Sequence, residues 1–496
     1  MRNANFDTDI LIVGAGPVGL FLANECARRG LQWRLVETRS SQSEHSKALA
    51  IFPRTLEIFD MAGLVDRFLD AANRVTSVAV VEGERQLAHM RFEPEQSPFP
   101  FVAMVPQDVT ERLLVEQLQA KGGHVEYDTS FTSAVQHEDG VTVTLAQNGQ
   151  QEELTAKYVV GCDGAHSAVR HLLDLPFEGA EYNDSFILAD VETNDFLPAN
   201  ELQLCPSEFG PVAIFPMSAE RRRVVATVDS VDADPPSLEL VQKILRQRGP
   251  AGIEARSLHW STYFRIHQRQ VAQLRVGRIF IAGDAAHIHS PFGGQGMNTG
   301  LHDVWNLVWK LDFAVHDRAN ESLLDSYSAE RRPVIKQVIE TTDFLTKVMG
   351  TPNRIAQALR STVIPMVSRL APFQHAFVQR LSELGIAYHG SPIVEGAGER
   401  FFDGSVRGGS RLRSRFLLLV DRNAPALTME AATQFANSFA DTVELRPTEQ
   451  KGITLVRPDG YVAYASHLRD GVAEIQAARQ VLERQTMPGT NSAQAA

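Results

Sequence analysis

Residues 9–14, DILIVG, form an unbroken apolar run ending in glycine. A run of this kind, with no polar alternation, reads as a strand buried on both faces within a parallel sheet. LFLANECARRG at 20–30 has helical spacing and closes on Gly30, and LQWRLVE at 31–37 returns to a strand ending at Glu37. Strand, helix and strand make a βαβ unit of ordinary length. From 73 to 106 the pattern breaks into short strands, and QDVTERLLVEQLQAKG at 107–122 places Leu113, Leu114 and Leu118 on one face of a helix. Alternating residues over 124–150, punctuated by DG and NG, predict hairpins, and AKYVVGCDG at 156–164 predicts a strand ending in a glycine turn. Residues 180–270 are strand-rich, with aromatics and prolines, and read as a mixed sheet. GRIFIAGDAAH at 277–287 restores the buried-strand pattern, followed by a helix over about 298–316 and helical character over 323–386. Beyond about Gly396, RFLLLVD (415–421) and GITLVRPDGYVAYA (452–465) are strand-like, and stretches near 428–439 and 471–484 are helical.

Length turns these elements into domains. The chain has 496 residues, and a single core stops growing at about 250–300. The expected division is a nucleotide-binding unit over 1–179 with inserted strands near 73–106, a mixed sheet over 180–270, a return to the first unit with a helical region over 271–397, a small α/β unit over 398–482, and a polar tail over 483–496 expected to be disordered. A net charge of −12 argues against a nucleic-acid or basic membrane-surface partner. The one basic run, Arg221, Arg222 and Arg223, reads as a solvated turn. Cys26, Cys162 and Cys205 are too few and too scattered for a disulfide framework, which favours a reducing cytoplasm. The N-terminal residues have no signal-peptide pattern, and no apolar run reaches the length of a membrane span.

Two glycine clusters carry the chemistry. The first follows a strand and opens a helix: Gly14, Gly16 and Gly19 in the spacing GxGxxG. Gly14 permits a tight turn, Gly16 lets backbone approach a diphosphate, and Gly19 lets helix and strand pack closely. The helix N-terminus adds unpaired N–H groups and a partial positive charge. Glu37, eighteen residues after Gly19, ends the second strand where a carboxylate accepts both ribose hydroxyls. An acid there disfavours a 2′-phosphate, so the resident nucleotide is expected to be FAD or NAD. The second cluster is AGDAAHIHSPFGGQGMNTG at 282–300, with five glycines. A flavin dinucleotide explains a second such turn, because its ribityl chain and ring extend beyond the diphosphate. Asp284 can accept from ribityl hydroxyls, Gly293, Gly294 and Gly296 let backbone lie against a flat ring, and Pro291 stiffens the approach. A helix starting near Gly296 points N–H groups at the pyrimidine edge, which becomes anionic on reduction.

These segments resemble the single-component FAD-dependent aromatic hydroxylases (class A flavoprotein monooxygenases) of the para-hydroxybenzoate hydroxylase type. GRIFIAGDAAHIHSPFGGQGMNTGLHDVWNLVWKL resembles their GD motif and VGCDGAHSAVR at 160–170 their DG motif; PRTLEIFDMAGLVD (53–66) and PQDVTERLL (106–114) are also similar. The likeness covers roughly residues 7–400. The remainder resembles the thioredoxin-like appendage of the phenol and polyketide hydroxylase branch, but it has no CxxC and is read as structural. The resemblance implies a Rossmann-like FAD-binding domain interleaved with a mixed-sheet substrate domain. It implies non-covalent FAD, held by Gly14, Gly16, Gly19 and Glu37 at the ADP half, by Gln107 and Asp163 near ribose and adenosine, and by Asp284 and the backbone of Gly296, Met297 and Asn298 at the flavin half. Lys47-Ala48 stands where the family often has Arg-Ala, so a phosphate contact keeps its sign and loses the planar fork. The implied reaction uses NADH or NADPH and O2 to hydroxylate a phenolic or polyketide-type ring through a flavin C4a-hydroperoxide. A Baeyer–Villiger or epoxidising outcome stays open, as do a non-catalytic flavin-binding regulator and a homodimer.

Blander readings accompany the other candidates. His287 and His289 lack further ligands at metal spacing, so no metal is expected and a packed or hydrogen-bonded role is favoured. Trp305 and Trp309, four apart on a helix, read as core, and Asp163 has the alternative of a turn former. Phe215 and Pro216, with Pro291 and Phe292, are candidates for the substrate pocket, and core packing is an equal alternative for the first two.

Overall fold

The computed structural model describes residues 6–486 except 44–45, 93–96, 195–196, 291–292, 351–370, 397, 408–414 and 468–470. The first apolar run is the strand Thr8–Val13, central in a seven-stranded sheet. It lies parallel to Trp33–Val36 on one side and to Gln150–Gly161 on the other, and Ile279–Ile281 extends the parallel set. The strands Thr129–Gln136 and Val141–Gln147 add an antiparallel hairpin to the early half of Gln150–Gly161. Helix Pro17–Arg29 ends at Gly30, whose φ of 77° supplies the left-handed cap.

A second sheet of eight strands stands apart. Its long pair, Phe177–Thr193 and Ala255–Val271, is antiparallel, and the strands Ser77–Glu82 and Arg85–Arg91 from early in the chain complete its far edge. Of the strands expected near 73–106, these two join the mixed sheet, while Asn73–Val75 and Val102–Met104 form a small separate sheet with Ala50–Ile51. A helix that the pattern did not signal, Leu238–Arg248, covers it with Val241, Ile244 and Leu245 buried. The Arg221–Arg223 run is no solvated turn. Arg222 and Arg223 are buried on the strand Arg221–Val228: Arg223 pairs bidentately with Asp190 at 2.7 and 2.9 Å, and Arg222 donates to the carbonyls of Ser218 and Leu197. A buried guanidinium is tolerated only when its donors are satisfied, and a neighbouring strand and nearby loops supply the acceptors.

Helix Gly296–Val315 runs through the centre with nearly every residue buried. It packs along Pro17–Arg29, and Trp305 stacks on Phe21. Its polar residues all have partners, Lys310 at 2.8 Å from Glu330 among them. The C-terminal unit has four strands in the order Val443–Thr448, Phe416–Asp421, Ile453–Val456, Val462–Ser466, with helices Ala426–Ser438 and Gly471–Glu483. The first two strands are parallel and the rest antiparallel, the arrangement expected of the thioredoxin-like appendage. GITLVRPDGYVAYA is therefore a hairpin. Its turn is buried against the rest of the chain: Arg457 pairs with Glu330 and Asp459, while Trp305 and Trp309 donate to Asp459 at 3.0 and 3.2 Å. The core of this unit continues into Trp309, Phe313 and Leu323.

Candidate FAD site

The three glycines of the first turn do different work. Gly14 has φ of 100°, and a Cβ there would lie 2.6 Å from the Cys162 carbonyl oxygen. A Cβ at Gly19 would lie 1.9 Å from the Gly14 carbonyl oxygen. Both positions exclude side chains because backbone meets backbone. Gly16 is different: a Cβ there would meet nothing within 4 Å, so the turn leaves open space over the start of the helix. No side chain caps that helix, which leaves its first N–H groups for a ligand. At the neighbouring strand end, Glu37 accepts from the Ala15 amide at 2.8 Å and from the Arg39 amide and guanidinium at 3.0 and 3.1 Å. Burial opposes ionisation of Glu37, but these hydrogen bonds outweigh it and hold the carboxyl below its ordinary range.

The second turn follows strand Ile279–Ile281. Gly283 has φ of 60°, and Asp284 sits in the 3-10 turn Gly283–Ala285. Asp284 is solvent-accessible although protein surrounds it on most sides. The surrounding protein pushes its carboxyl up, against the opposing pull of His287 and Lys47. Accessibility decides what can reach the group, and this carboxylate is open to a ligand. Lys47 belongs to a segment held from two sides. The carbonyls of Lys47 and Ala48 accept from Arg223 at 2.9 and 3.2 Å, and the Ala48 amide donates to the Gln107 side chain at 3.0 Å. Gln107 in turn donates to the buried Glu111 at 2.9 Å.

Helix Gly296–Val315 also starts without a side-chain cap. Its first turn is pinned by Asn298, whose side chain donates to the Ala50 and Gly294 carbonyls at 2.9 and 3.1 Å and accepts from the Phe52 amide and the Thr55 hydroxyl at 3.1 and 2.7 Å. That side chain is fully engaged, so only backbone at Gly296, Met297 and Asn298 remains to meet a ligand. His289 donates through Nδ1 to the Ser290 carbonyl at 3.0 Å, and its buried Nε2 has no partner. Burial pushes this imidazole down to about 4, so it is neutral. The Gln295 Oε1 atom is likewise buried without a partner. An uncapped helix start with orphaned polar atoms beside it fits a polar ring edge, and the open space above Gly16 fits a diphosphate.

Asp163 is engaged by its own segment. Its carboxylate accepts from the Ser167 hydroxyl at 2.5 Å and the Val169 amide at 3.2 Å, at the start of the short helix Ala168–Leu172, which Ser167 caps. These bonds tie it into the turn beside Gly14. Phe215 and Pro216 lie on the strand Val212–Pro216. Phe215 packs with Phe52, Phe92, Met104, Met217 and Val378, a cluster shared by the mixed sheet, the Ala50–Ile51 strand and helix Ala371–Ser382. Gly294 lies against Ala50 and Phe52, so this apolar wall adjoins the second turn. Pro291 and Phe292 lie outside the described residues. Among the described residues no helix is long and apolar enough to cross a membrane, and no group of three His, Cys, Asp or Glu could hold a metal.

Sequence reasoning missed Asp303, Arg331 and Gly300. Asp303 is the legible signal among them, an acid in the largely apolar segment LHDVWNLVWKL.

Residues 7–342 match the family model described as FAD binding domain. The chain is 32% identical over 471 residues to the rifampicin monooxygenase of Streptomyces venezuelae, covering 92% of this chain and 95% of that protein. It is 34% identical over 403 residues to the 6-methylpretetramide 4-monooxygenase of Streptomyces rimosus, covering 79% and 72%. Among solved structures, the OxyS anhydrotetracycline hydroxylase from Streptomyces rimosus aligns over 97% of this chain and 100% of its own, with TM-score 0.78 and 28% identity. A dinucleotide turn, a second turn presenting an open carboxylate, and these extended likenesses make the chain a member of the FAD-dependent aromatic monooxygenase family.

Proposed function

We propose that the chain hydroxylates a phenolic or polyketide-type aromatic ring, with NADH or NADPH as reductant and O2 as the source of the oxygen atom. The observation that carries this reading is the apolar wall of Phe52, Phe92, Phe215 and Met217 beside the Gly294 turn. It offers a flat, water-excluding surface next to the backbone assigned to the flavin ring. FAD, when bound and reduced, supplies the activation of dioxygen. The first helix and Gly16 hold its diphosphate, Glu37 its ribose, Asp284 its ribityl chain, and the amides of Gly296, Met297 and Asn298 the electron-rich ring edge. The apolar wall orients the substrate ring and keeps water from the reacting centre.

We take a second cavity as the place where the reductant docks. Ala165, His166, Arg170, His171, Arg269 and Ile288 line a cavity of about 330 Å3 beside the Gly283–Ala285 turn. Arg170 donates to the Ala285 carbonyl at 3.0 Å and to the Ala165 carbonyl at 2.8 Å, which joins the cavity wall to that turn. Arg269 and the two histidines are the groups suited to an anionic nucleotide. The three cysteines are free and buried, which supports a reducing, cytoplasmic setting.

The test is a screen of phenols and aromatic polyketides for stimulated NAD(P)H oxidation by the FAD-loaded chain, with product identified by mass and NMR. One added oxygen on an intact ring is the expected outcome. A ring-expanded lactone, or NADPH consumption that yields peroxide with no product for any aromatic, contradicts the proposal.

A further inference from the structure

Asp303 lies on the third turn of helix Gly296–Val315 and is completely buried. One of its oxygens accepts from the Gly283 backbone amide at 3.1 Å and from His287 Nε2 at 2.7 Å. The other accepts from Arg331 Nε at 2.8 Å, and Arg331 also donates to the Thr299 carbonyl at 3.2 Å. A single carboxylate thus joins the backbone of the second turn, the helix that follows it, and helix Glu321–Gly350, which carries Arg331.

The same point is where the site's elements crowd together. A Cβ at Gly300 would lie 2.7 Å from a Val18 methyl and 3.0 Å from the Gly283 Cα. Val18 belongs to the helix that opens at the first turn. The two turns therefore meet across Gly283, and its left-handed backbone is fixed by the bond to Asp303.

We propose that Asp303, set by Arg331 and His287, is a positioning residue that holds the Gly283 amide so that Asp284 faces the flavin site. This rests on the assignment of the two turns to FAD. A hydrophobic residue could fill the space, but it could not accept the amide or orient the turn. Burial works against the charge on Asp303, and His287 and Arg331 overcome it, holding the carboxyl at about 2. The acceptor is consequently ionised near neutral pH, and its hydrogen bond to Gly283 is charge-assisted.

The experiment compares the full chain with Asp303→Asn, with His287→Gln, and with the double variant Asp303→Asn/Arg331→Met, which removes the guanidinium that the single change leaves unpaired. Flavin-free protein is titrated with FAD, and thermal midpoints are taken without FAD. Loss of a charge-assisted bond to the turn predicts about a tenfold or greater rise in the FAD Kd for both Asp303 variants and a smaller rise for His287→Gln. The double variant should recover most of the flavin-free thermal midpoint and keep the weakened Kd, which a merely structural role would not do. A double variant with wild-type Kd overturns the proposal, as does failure of all three variants to fold, which would make the group part of the general core. Absence of FAD binding by the unmodified chain would instead overturn the assignment of the turns.

Discussion

Gly16→Ala and Gly19→Ala form a matched pair that separates fold from ligand. At Gly19 the added methyl would sit 1.9 Å from the Gly14 carbonyl oxygen, so helix Pro17–Arg29 must move away from the turn. Overpacking of this kind costs about 1–3 kcal/mol, offset by roughly 1 kcal/mol from the better helix propensity of alanine. At Gly16 the methyl meets no protein atom within 4 Å, and the residue has φ of −74°, which alanine adopts without strain. Alanine is poorer than glycine at the start of a helix by roughly 0.5–1 kcal/mol, and it restricts the unfolded chain by about 0.4–1 kcal/mol in the opposite sense. The flavin-free Gly16→Ala chain should therefore melt close to wild type, and Gly19→Ala below it. FAD binding should fall in both. In Gly16→Ala the methyl occupies the approach of the diphosphate, and loss of one charge-assisted hydrogen bond of about 1.5–3 kcal/mol raises the Kd roughly 10- to 150-fold. Differential scanning fluorimetry on flavin-free protein and FAD titration by fluorescence read the two effects separately. A Gly16→Ala chain with wild-type FAD affinity would refute the role assigned to that open space.

Further outcomes follow from buried charge and packing. Arg457→Met leaves Glu330 and Asp459 buried with fewer partners and should destabilise the chain by about 3–5 kcal/mol in urea denaturation; a loss under about 1 kcal/mol would show that the C-terminal hairpin is not held by this network. Glu383 is buried 3.5 Å from His302, and burial pushes its carboxyl from 4.5 up to about 8, only partly opposed by Arg331. The folded chain then keeps a proton that the unfolded chain releases, so stability should fall as pH rises from about 4.5 to about 8. Glu383→Gln should flatten that slope and raise the thermal midpoint at the alkaline end, and an unchanged pH profile would count against it. Phe215→Ala should raise KM for the aromatic substrate while FAD content stays at the wild-type level; loss of flavin instead would assign Phe215 to the core alone.

The glycine turns were legible because backbone demands leave a mark in single residues. Only glycine fits where Gly14 and Gly19 meet carbonyl oxygens, and a strand ending in Gly283-Asp284 states its geometry locally. Pairing between distant elements leaves no such mark. Asp303 and Arg331 come from different helices, and Arg223 reaches Asp190 from a neighbouring strand. No local period relates either pair, so nothing in the Arg221–Arg223 run itself signals its burial. Asp163 and Asn298 show a second limit. Their places in the glycine-rich segments were evident, but whether a side chain faces a ligand or ties down its own backbone depends on what folds against it. The helix Leu238–Arg248 was obscured by the strand-rich segment around it, although Ser237 caps it by accepting from the Leu240 amide.

The most direct measurement is FAD affinity and stoichiometry in four chains: unmodified, Gly16→Ala, Asp284→Ala and the double variant. If the two turns hold opposite ends of one cofactor, the unmodified chain binds one FAD, each change weakens it, and the double variant binds least. An Asp284→Ala chain that keeps full affinity, or a wild-type chain that cannot be reconstituted with FAD, would contradict the account.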